Sequence, residues 1–283
     1  MHRSLAFLSL LVTTMTFAEA PTAPLIVAHR GECISAPENT LASFDLAWKK
    51  GDDAIELDIH LTKDGQVVVC HDADTARTSA TNEKVVIKDA TLAEIQKVDV
   101  GSFKGNEYVG QRCPTLKEVF DAMPTGKKCY VEIKSGIDVV PAWIDLYKKS
   151  GKTPDQIIVI SFHADALAAS KKALPELKHY LLANYKQDKT TKQWQDHPGV
   201  EEWIKTARES NADGLDLGAN TGLTQERCKQ VTASGLELHV WTTEKITVAK
   251  ASVDDPKVAR QYADWGARSI TTNRAAVVSE GMK

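Results

Sequence analysis

The sequence predicts a (β/α)8 barrel with a small insertion after the second strand. Three observations predict it. Short β-rich runs alternate with amphipathic helical stretches along the chain. Eight such strands, seven of them followed by a helical stretch, occupy about 260 residues, the size and order of this barrel. One further β-rich run breaks the rhythm, and it falls directly after the second strand. A doubly wound open sheet is the structural alternative, because alternation alone does not exclude it.

The strands are expected near Leu25–His29, Ala54–Asp58, Cys129–Lys134, Ile157–Phe162, His179–Ala183, Gly214–Leu217, Glu237–Trp241 and Ser269–Thr271. Amphipathic stretches lie at Thr40–Lys50, Thr115–Ala122, Val139–Ser150, Ala164–Ala173, Val200–Ser210, Thr224–Ser234 and Pro256–Trp265. Their apolar spacing is near the helical period, and several open with Ser, Thr, Asp or Pro. The irregular run is Gln66–His71. It follows the second strand after only a Lys63-Asp64-Gly65 turn. A parallel crossover needs about a dozen residues or more. The run is therefore read as the antiparallel return arm of a hairpin. Residues 59–113 form the insertion, on the barrel face where such folds place their chemistry.

The bulk composition is that of a soluble globular chain. Of 283 residues, 42% are hydrophobic and 26% charged, and the formal net charge is −3. No basic excess points to nucleic acid. Residues 1–20 read as a secretory signal: Arg3, an apolar run from Leu5 to Phe17, then Ala18-Glu19-Ala20. The run is too short to span a bilayer, and no other segment resembles a membrane span. The expected layout is thus a signal over 1–20 and a barrel over 21–283, with the mature chain exported to periplasm or medium. Cys33, Cys70, Cys113, Cys129 and Cys228 show no zinc spacing. Up to two disulfides with one free thiol, or several small buried apolar residues, are both open readings.

The polar residues at strand ends carry the chemistry. The first strand ends in His29-Arg30-Gly31, the second in Glu56-Leu57-Asp58, the third in Glu132-Ile133-Lys134 and the seventh in Trp241-Thr242-Thr243. Glu56 and Asp58 are two apart in a strand and point to one side. With Glu132 they offer three carboxylates and no thiolate, a set that suits one hard divalent cation, Mg2+ or Ca2+. A salt-bridge network with Arg30 or Lys134 is the alternative. Hairpin pairing brings His71 roughly opposite Glu56 and Asp58. His29 and His71 are then candidates for an acid–base pair. Taken singly, each histidine reads more simply as a structural hydrogen bonder. Arg30 and Lys134 are candidates for gripping phosphate. A cation, two basic side chains and two histidines describe phosphodiester cleavage. The chain has no Walker-type loop and no Gly-x-Ser-x-Gly elbow, which disfavours nucleoside triphosphate and serine esterase chemistry.

In this order and spacing the residues resemble the glycerophosphodiester phosphodiesterases. The matches are His29-Arg30-Gly31, Pro37-Glu38-Asn39-Thr40, Glu56-Leu57-Asp58-Ile59, Thr62-Lys63-Asp64-Gly65, His71-Asp72, Thr91 to Ile95, Pro114 to Val119, Glu132-Ile133-Lys134, Ser161-Phe162 and Val240-Trp241-Thr242. The resemblance implies a barrel enzyme that hydrolyses glycerophosphodiesters to sn-glycerol 3-phosphate and an alcohol. It implies His29 and His71 as the acid–base pair, and Glu56, Asp58 and Glu132 as ligands of Mg2+ or Ca2+. Arg30 and Lys134 would contact phosphate, Asn39 the metal or phosphate, and Trp241 would line the pocket or fill the top of the core. Thr40 reads as a helix cap. The initial attack by a glycerol hydroxyl or by water is left open. A lysophospholipase D or phosphoinositide-type phospholipase is the alternative within the class, and a non-catalytic binding protein the alternative outside it. The chain departs from the family where Thr-Asp-x-Pro commonly closes the last strand; here it reads Thr272-Asn273-Arg274-Ala275. His163, beside Ser161-Phe162, reads as a helix-cap neighbour or an extra substrate contact.

Overall fold

The computed structural model describes residues 23–195, 198–243 and 252–283. The segment expected to be a secretory signal, residues 1–20, lies outside them. In chain order the first half runs β1 (Leu25–Ala28), α1 (Leu41–Lys49), β2 (Ala54–Leu61), β3 (Val67–Val69), α2 (Leu92–Ile95), α3 (Leu116–Ala122), β4 (Lys128–Ile133) and α4 (Val140–Ser150). The second half runs β5 (Ile157–Ser161), α5 (Ala164–Ala173), β6 (Lys178–Ala183), α6 (Val200–Glu209), β7 (Gly214–Ala219), α7 (Gln225–Ala233), β8 (Glu237–Thr242), α8 (Pro256–Asp264), β9 (Ala267–Thr272) and α9 (Ala275–Gly281).

Eight of the strands are parallel neighbours in the ring β1–β2–β4–β5–β6–β7–β8–β9, and β9 pairs back to β1 through Leu25↔Ser269 to Ala28↔Thr272. That closure excludes the open doubly wound sheet and makes the fold a (β/α)8 barrel. The strands are covered on both faces, so they read as nearly continuous apolar runs, such as Ile157-Ile158-Val159-Ile160. Alternation then decides which side chain faces which layer. Ile55, Leu57 and Ile59 of β2, and Cys129, Val131 and Ile133 of β4, join the core between sheet and helices. Val27, Ala54, Tyr130, Ile158, Ile160, Tyr180 and Leu182 fill the barrel itself. Glu56, Asp58 and Glu132 alternate with the outward residues and so turn inward.

β3 is no barrel strand. It pairs antiparallel with β2, Ile59↔Val69 through Leu61↔Val67. The chain between β3 and α3 builds a small second core from Val68, Cys70, Ile87, Ala90, Ile95, Val98, Val100 and Cys113. All five cysteines are buried free thiols, as small apolar residues would be.

Helix starts follow the sequence closely. Thr91 and Thr115 form capping boxes with Glu94 and Glu118, and Thr40 forms one with Ser43. α9 has no counterpart among the expected helices; its few residues lie at the chain's end. β1 stops one residue early because Arg30 adopts a left-handed backbone, φ 56°. His29 N still donates to Thr272 O at 3.0 Å, and the chain then turns away from the sheet. Gly31 follows with φ +77°, and a Cβ there would lie 2.6 Å from Ser43 Oγ. The sharp turn after His29 thus rests on α1, whose cap is Thr40. Thr40 is fully buried, accepts from Ser43 N at 3.3 Å and donates to Pro37 O at 2.7 Å. Thr40→Ala should therefore destabilise the protein by about 1–2 kcal/mol, measured by denaturant unfolding. A change within about 0.3 kcal/mol would show that the cap is not needed.

Candidate active site

The site is built where β2 and β4 end. Their register sets Glu56 against Tyr130 and Asp58 against Glu132. Two carboxylates from one strand and one from its neighbour therefore enter one volume. All three are buried, and ligand atoms of all three lie within 4.8 Å of one another. Glu56 Oε1 and Asp58 Oδ1 have no hydrogen-bond partner. Burial and the neighbouring Asp58 and Glu132 push Glu56 far above the carboxylate range. Burial and Asp58 push Glu132 up to about 8. Burial would raise Asp58 too, but Arg30, His71 and Lys134 outweigh it and hold Asp58 below its ordinary value.

Cations and amides brace the cluster. Arg30 Nε lies 3.5 Å from Asp58 Oδ2, and Lys134 Nζ lies 3.0 Å from Glu132 Oε1 and 3.6 Å from Asp58 Oδ1. Asn39 Nδ2 donates to Asp58 Oδ2 at 2.8 Å, and Arg30 N donates to Glu56 Oε2 at 2.9 Å. Of the sequence's two readings of Arg30 and Lys134, ion pairing is the one seen directly: both cations pair with the acids of the cluster.

The two histidines face this cluster and are held differently. His29 Nδ1 lies 2.7 Å from Asn273 Oδ1, and its Nε2 lies 4.0 Å from Glu56 Oε2. Burial and Arg30 push His29 down to about 3, although Asn273, Asp58 and Glu38 oppose them. His71 arrives from the hairpin. Cys70 N donates to Asp58 O at 3.0 Å, which locks the return arm to β2. His71 Nδ1 pairs with Asp72 Oδ1 at 2.6 Å, and its Nε2 lies 3.3 Å from Lys134 Nζ. Burial lowers the His71 pKa as well.

Asp72 begins a chain of charges that returns to the first strand. Arg77 donates from Nε to Asp72 Oδ2 at 2.6 Å, and from Nη1 and Nη2 to the two oxygens of Glu38, both at 2.8 Å. Glu38 also accepts from Arg30 Nη1 at 2.8 Å. Local patterning does not reveal Arg77, because its partners lie 5 and 39 residues away. Trp241 is half-buried at the end of β8 and meets the exposed Phe162 edge-on, ring centres 5.9 Å apart. His163 occupies the N-cap position of α5 and makes no side-chain cap bond.

An acidic cluster, two cations and a histidine at the carboxyl ends of barrel strands, with a second histidine brought in by the hairpin, define a class, a (β/α)8-barrel enzyme. Known proteins narrow it. The sequence pattern of the glycerophosphoryl diester phosphodiesterase family matches residues 29–277. A glycerophosphodiester phosphodiesterase of Bacillus subtilis (strain 168) is 34% identical over 292 residues, covering 95% of this chain and 92% of that one. One from Caldanaerobacter subterraneus subsp. tengcongensis is 43% identical over 164 residues, covering 56% of this chain and 66% of that one. Among solved structures, an Oleispira antarctica phosphodiesterase in complex with the product sn-glycerol-3-phosphate superposes with a TM-score of 0.75. It is 23% identical and covers 92% of this chain and 97% of that one, a likeness that bears on the fold. The chain belongs to the glycerophosphoryl diester phosphodiesterase family, and is an enzyme of that class.

The Glu38 pairing has a pH signature. Burial raises its pKa, but the hydrogen bonds of Arg77 and the charge of Arg30 outweigh burial and bring it from 4.5 down to about 2. A depressed carboxylate stabilises the fold above its unfolded pKa and loses that contribution as pH falls through the folded one. The window is therefore between about 4.5 and 2. The stability gap between the wild type and Glu38→Gln should shrink across it, by on the order of 3 kcal/mol. A gap independent of pH, measured by urea unfolding at each pH, would refute this coupling.

Proposed function

We propose that the protein hydrolyses glycerophosphodiesters to sn-glycerol 3-phosphate and an alcohol, with one divalent cation, Ca2+ or Mg2+, and His29 and His71 as the acid–base pair. One observation carries the reading: ligand oxygens of three buried carboxylates lie within 4.8 Å of one another, and one oxygen each of Glu56 and Asp58 has no hydrogen-bond partner. Like charges at this distance in a buried place oppose one another's ionisation. Oxygen donors with no thiolate fit a hard cation, and Glu56, Asp58 and Glu132 would hold it.

A bound divalent cation would supply positive charge to the phosphoryl oxygens. The chain's own residues do the rest. Arg30 and Lys134 sit at the rim of the cluster, where each can turn a donor to a phosphate oxygen. His29 and His71 both engage a neighbour through Nδ1, which leaves Nε2 of His29 toward Glu56 and Nε2 of His71 beside Lys134. One takes the proton of the attacking hydroxyl, whether glycerol's or water's. The other gives a proton to the leaving oxygen. Trp241 and Phe162 wall the mouth. In the same reading, residues 1–20 are a secretory signal, the barrel spans 21–283 with its insertion at 59–113, and the mature enzyme works in the periplasm or medium.

A second reading keeps the reaction and enlarges the leaving alcohol to a lysophospholipid. It is favoured by exposed apolar side chains on loops beyond the strand ends: Ile34 after β1, Phe103 in the insertion, Ile137 after β4 and Phe162 after β5.

Purified protein should release sn-glycerol 3-phosphate from glycerophosphocholine with Ca2+ or Mg2+, and should lose that activity in excess chelator. Full turnover in chelator removes the cation from the reaction. His71→Ala should lower kcat by at least about 100-fold with the circular dichroism unchanged; a rate near wild type removes His71. Lysophosphatidylcholine assayed beside glycerophosphocholine separates the two leaving groups.

A further inference from the structure

Asp254 lies between β8 and α8, is fully buried, and meets four donors. Its Oδ1 accepts from Thr272 Oγ1 at 2.6 Å and from the backbone N of Asn273 at 2.7 Å. Its Oδ2 accepts from Thr242 Oγ1 at 3.1 Å and from Asn273 Nδ2 at 3.0 Å. A carboxylate only accepts, and a backbone N–H and an amide NH2 only donate. The Asn273 side chain therefore has one allowed orientation, with Nδ2 on Asp254 and Oδ1 turned the other way. That Oδ1 faces His29 Nδ1 at 2.7 Å and Cys33 Sγ at 3.5 Å. Because Oδ1 only accepts, Nδ1 of His29 must carry the hydrogen, which leaves the Nε2 lone pair facing the acidic cluster.

We propose that Asp254 is a positioning residue for His29, acting through the amide of Asn273 to set the imidazole tautomer and ring angle. Asp254 does not touch the reacting atoms. The inference rests on His29 being one of the acid–base pair. Its strength is that, among the described residues, these bonds fix one orientation of the relay. In Asp254→Asn, one carboxylate oxygen becomes an NH2. The backbone N–H of Asn273 cannot rotate, so the new oxygen must stay opposite it and the new NH2 must face the Asn273 side chain. Asn273 then flips, presents Nδ2 to His29, and selects the tautomer with hydrogen on Nε2. Exchanging the two groups repairs this. In D254N/N273D the amide at 254 donates to the carboxylate at 273, which accepts the His29 Nδ1 hydrogen directly.

The test uses the full-length mature enzyme with glycerophosphocholine, and imidazole 15N shifts of His29 as a readout that does not depend on turnover. D254N should lose about 10- to 100-fold in kcat with KM little changed. Its His29 hydrogen should move from Nδ1 to Nε2. The double variant should recover most of the kcat and return the hydrogen to Nδ1. D254N with wild-type kcat and an Nδ1 hydrogen would overturn the proposal. So would a loss of kcat with the tautomer unchanged and no recovery in the double variant, since that marks packing alone. If D254N does not fold, the double variant decides, because a folded double variant without an Nδ1 hydrogen is equally fatal. His29→Ala separates the two claims: full activity there would remove His29 from the chemistry, while the 15N shifts would still show whether Asp254 controls its tautomer.

Discussion

Three carboxyl groups forced into one buried volume are the constraint around which this end of the barrel is organised. The cause is geometric. Residues two apart on β2 share a face, and the register with β4 sets Asp58 beside Glu132. Burying an unpaired carboxylate is costly, and burying three together is more so. Each neighbouring element answers that cost. β1 delivers Arg30 on a left-handed backbone, which aims its own N–H at Glu56 while its side chain reaches Asp58. β4 supplies Lys134, two residues past Glu132. The loop before α1 supplies Asn39, also at positive φ, whose amide caps the most deeply paired acid. Even so, Glu56 and Glu132 resist ionisation, which is the electrostatic form of a demand for more positive charge.

The two histidines show that the same ring can be braced in two ways. His71 leans on a charged neighbour, Asp72, whose own partner Arg77 ties it to Glu38 and so to Arg30. A charged brace of this kind tolerates either protonation state of the ring. His29 leans on a neutral amide, and burial keeps it uncharged at rest. Under the proposed acid–base roles, such asymmetry would let one ring start as base and the other as acid.

Much of this was legible in the sequence because it depends on local period. The alternation of strands and helices predicted the barrel, and the short Lys63-Asp64-Gly65 turn identified β3 as a return arm rather than a ninth barrel member. Carboxylates two apart on a strand predicted a shared face, and the clustering of Glu56, Asp58 and Glu132 follows from it. The helical stretch at Thr115–Ala122 marked α3, whereas α2 was seen only as part of the resemblance at Thr91 to Ile95. What escaped detection depends on partners far apart in the chain. Arg77 sits in irregular sequence with no pattern to flag it. Asn273 was visible only as a departure from the family's usual aspartate, and its bond to His29 crosses the junction between the first and last strands. Buried thiols look the same in sequence whether paired or free, so the five cysteines needed coordinates.

Ring closure has a temporal meaning. The residues that gather the acids, and the hairpin that carries His71, all lie in the first half of the chain and are adjacent once β2, β3 and β4 have paired. The brace for His29 is 244 residues downstream, in the last strand to leave the ribosome. Without β9 the ring is open between β1 and β8, and His29 has no Asn273 to lean on. His29 therefore gains its Asn273 partner only once the first and last strands of the ring have met.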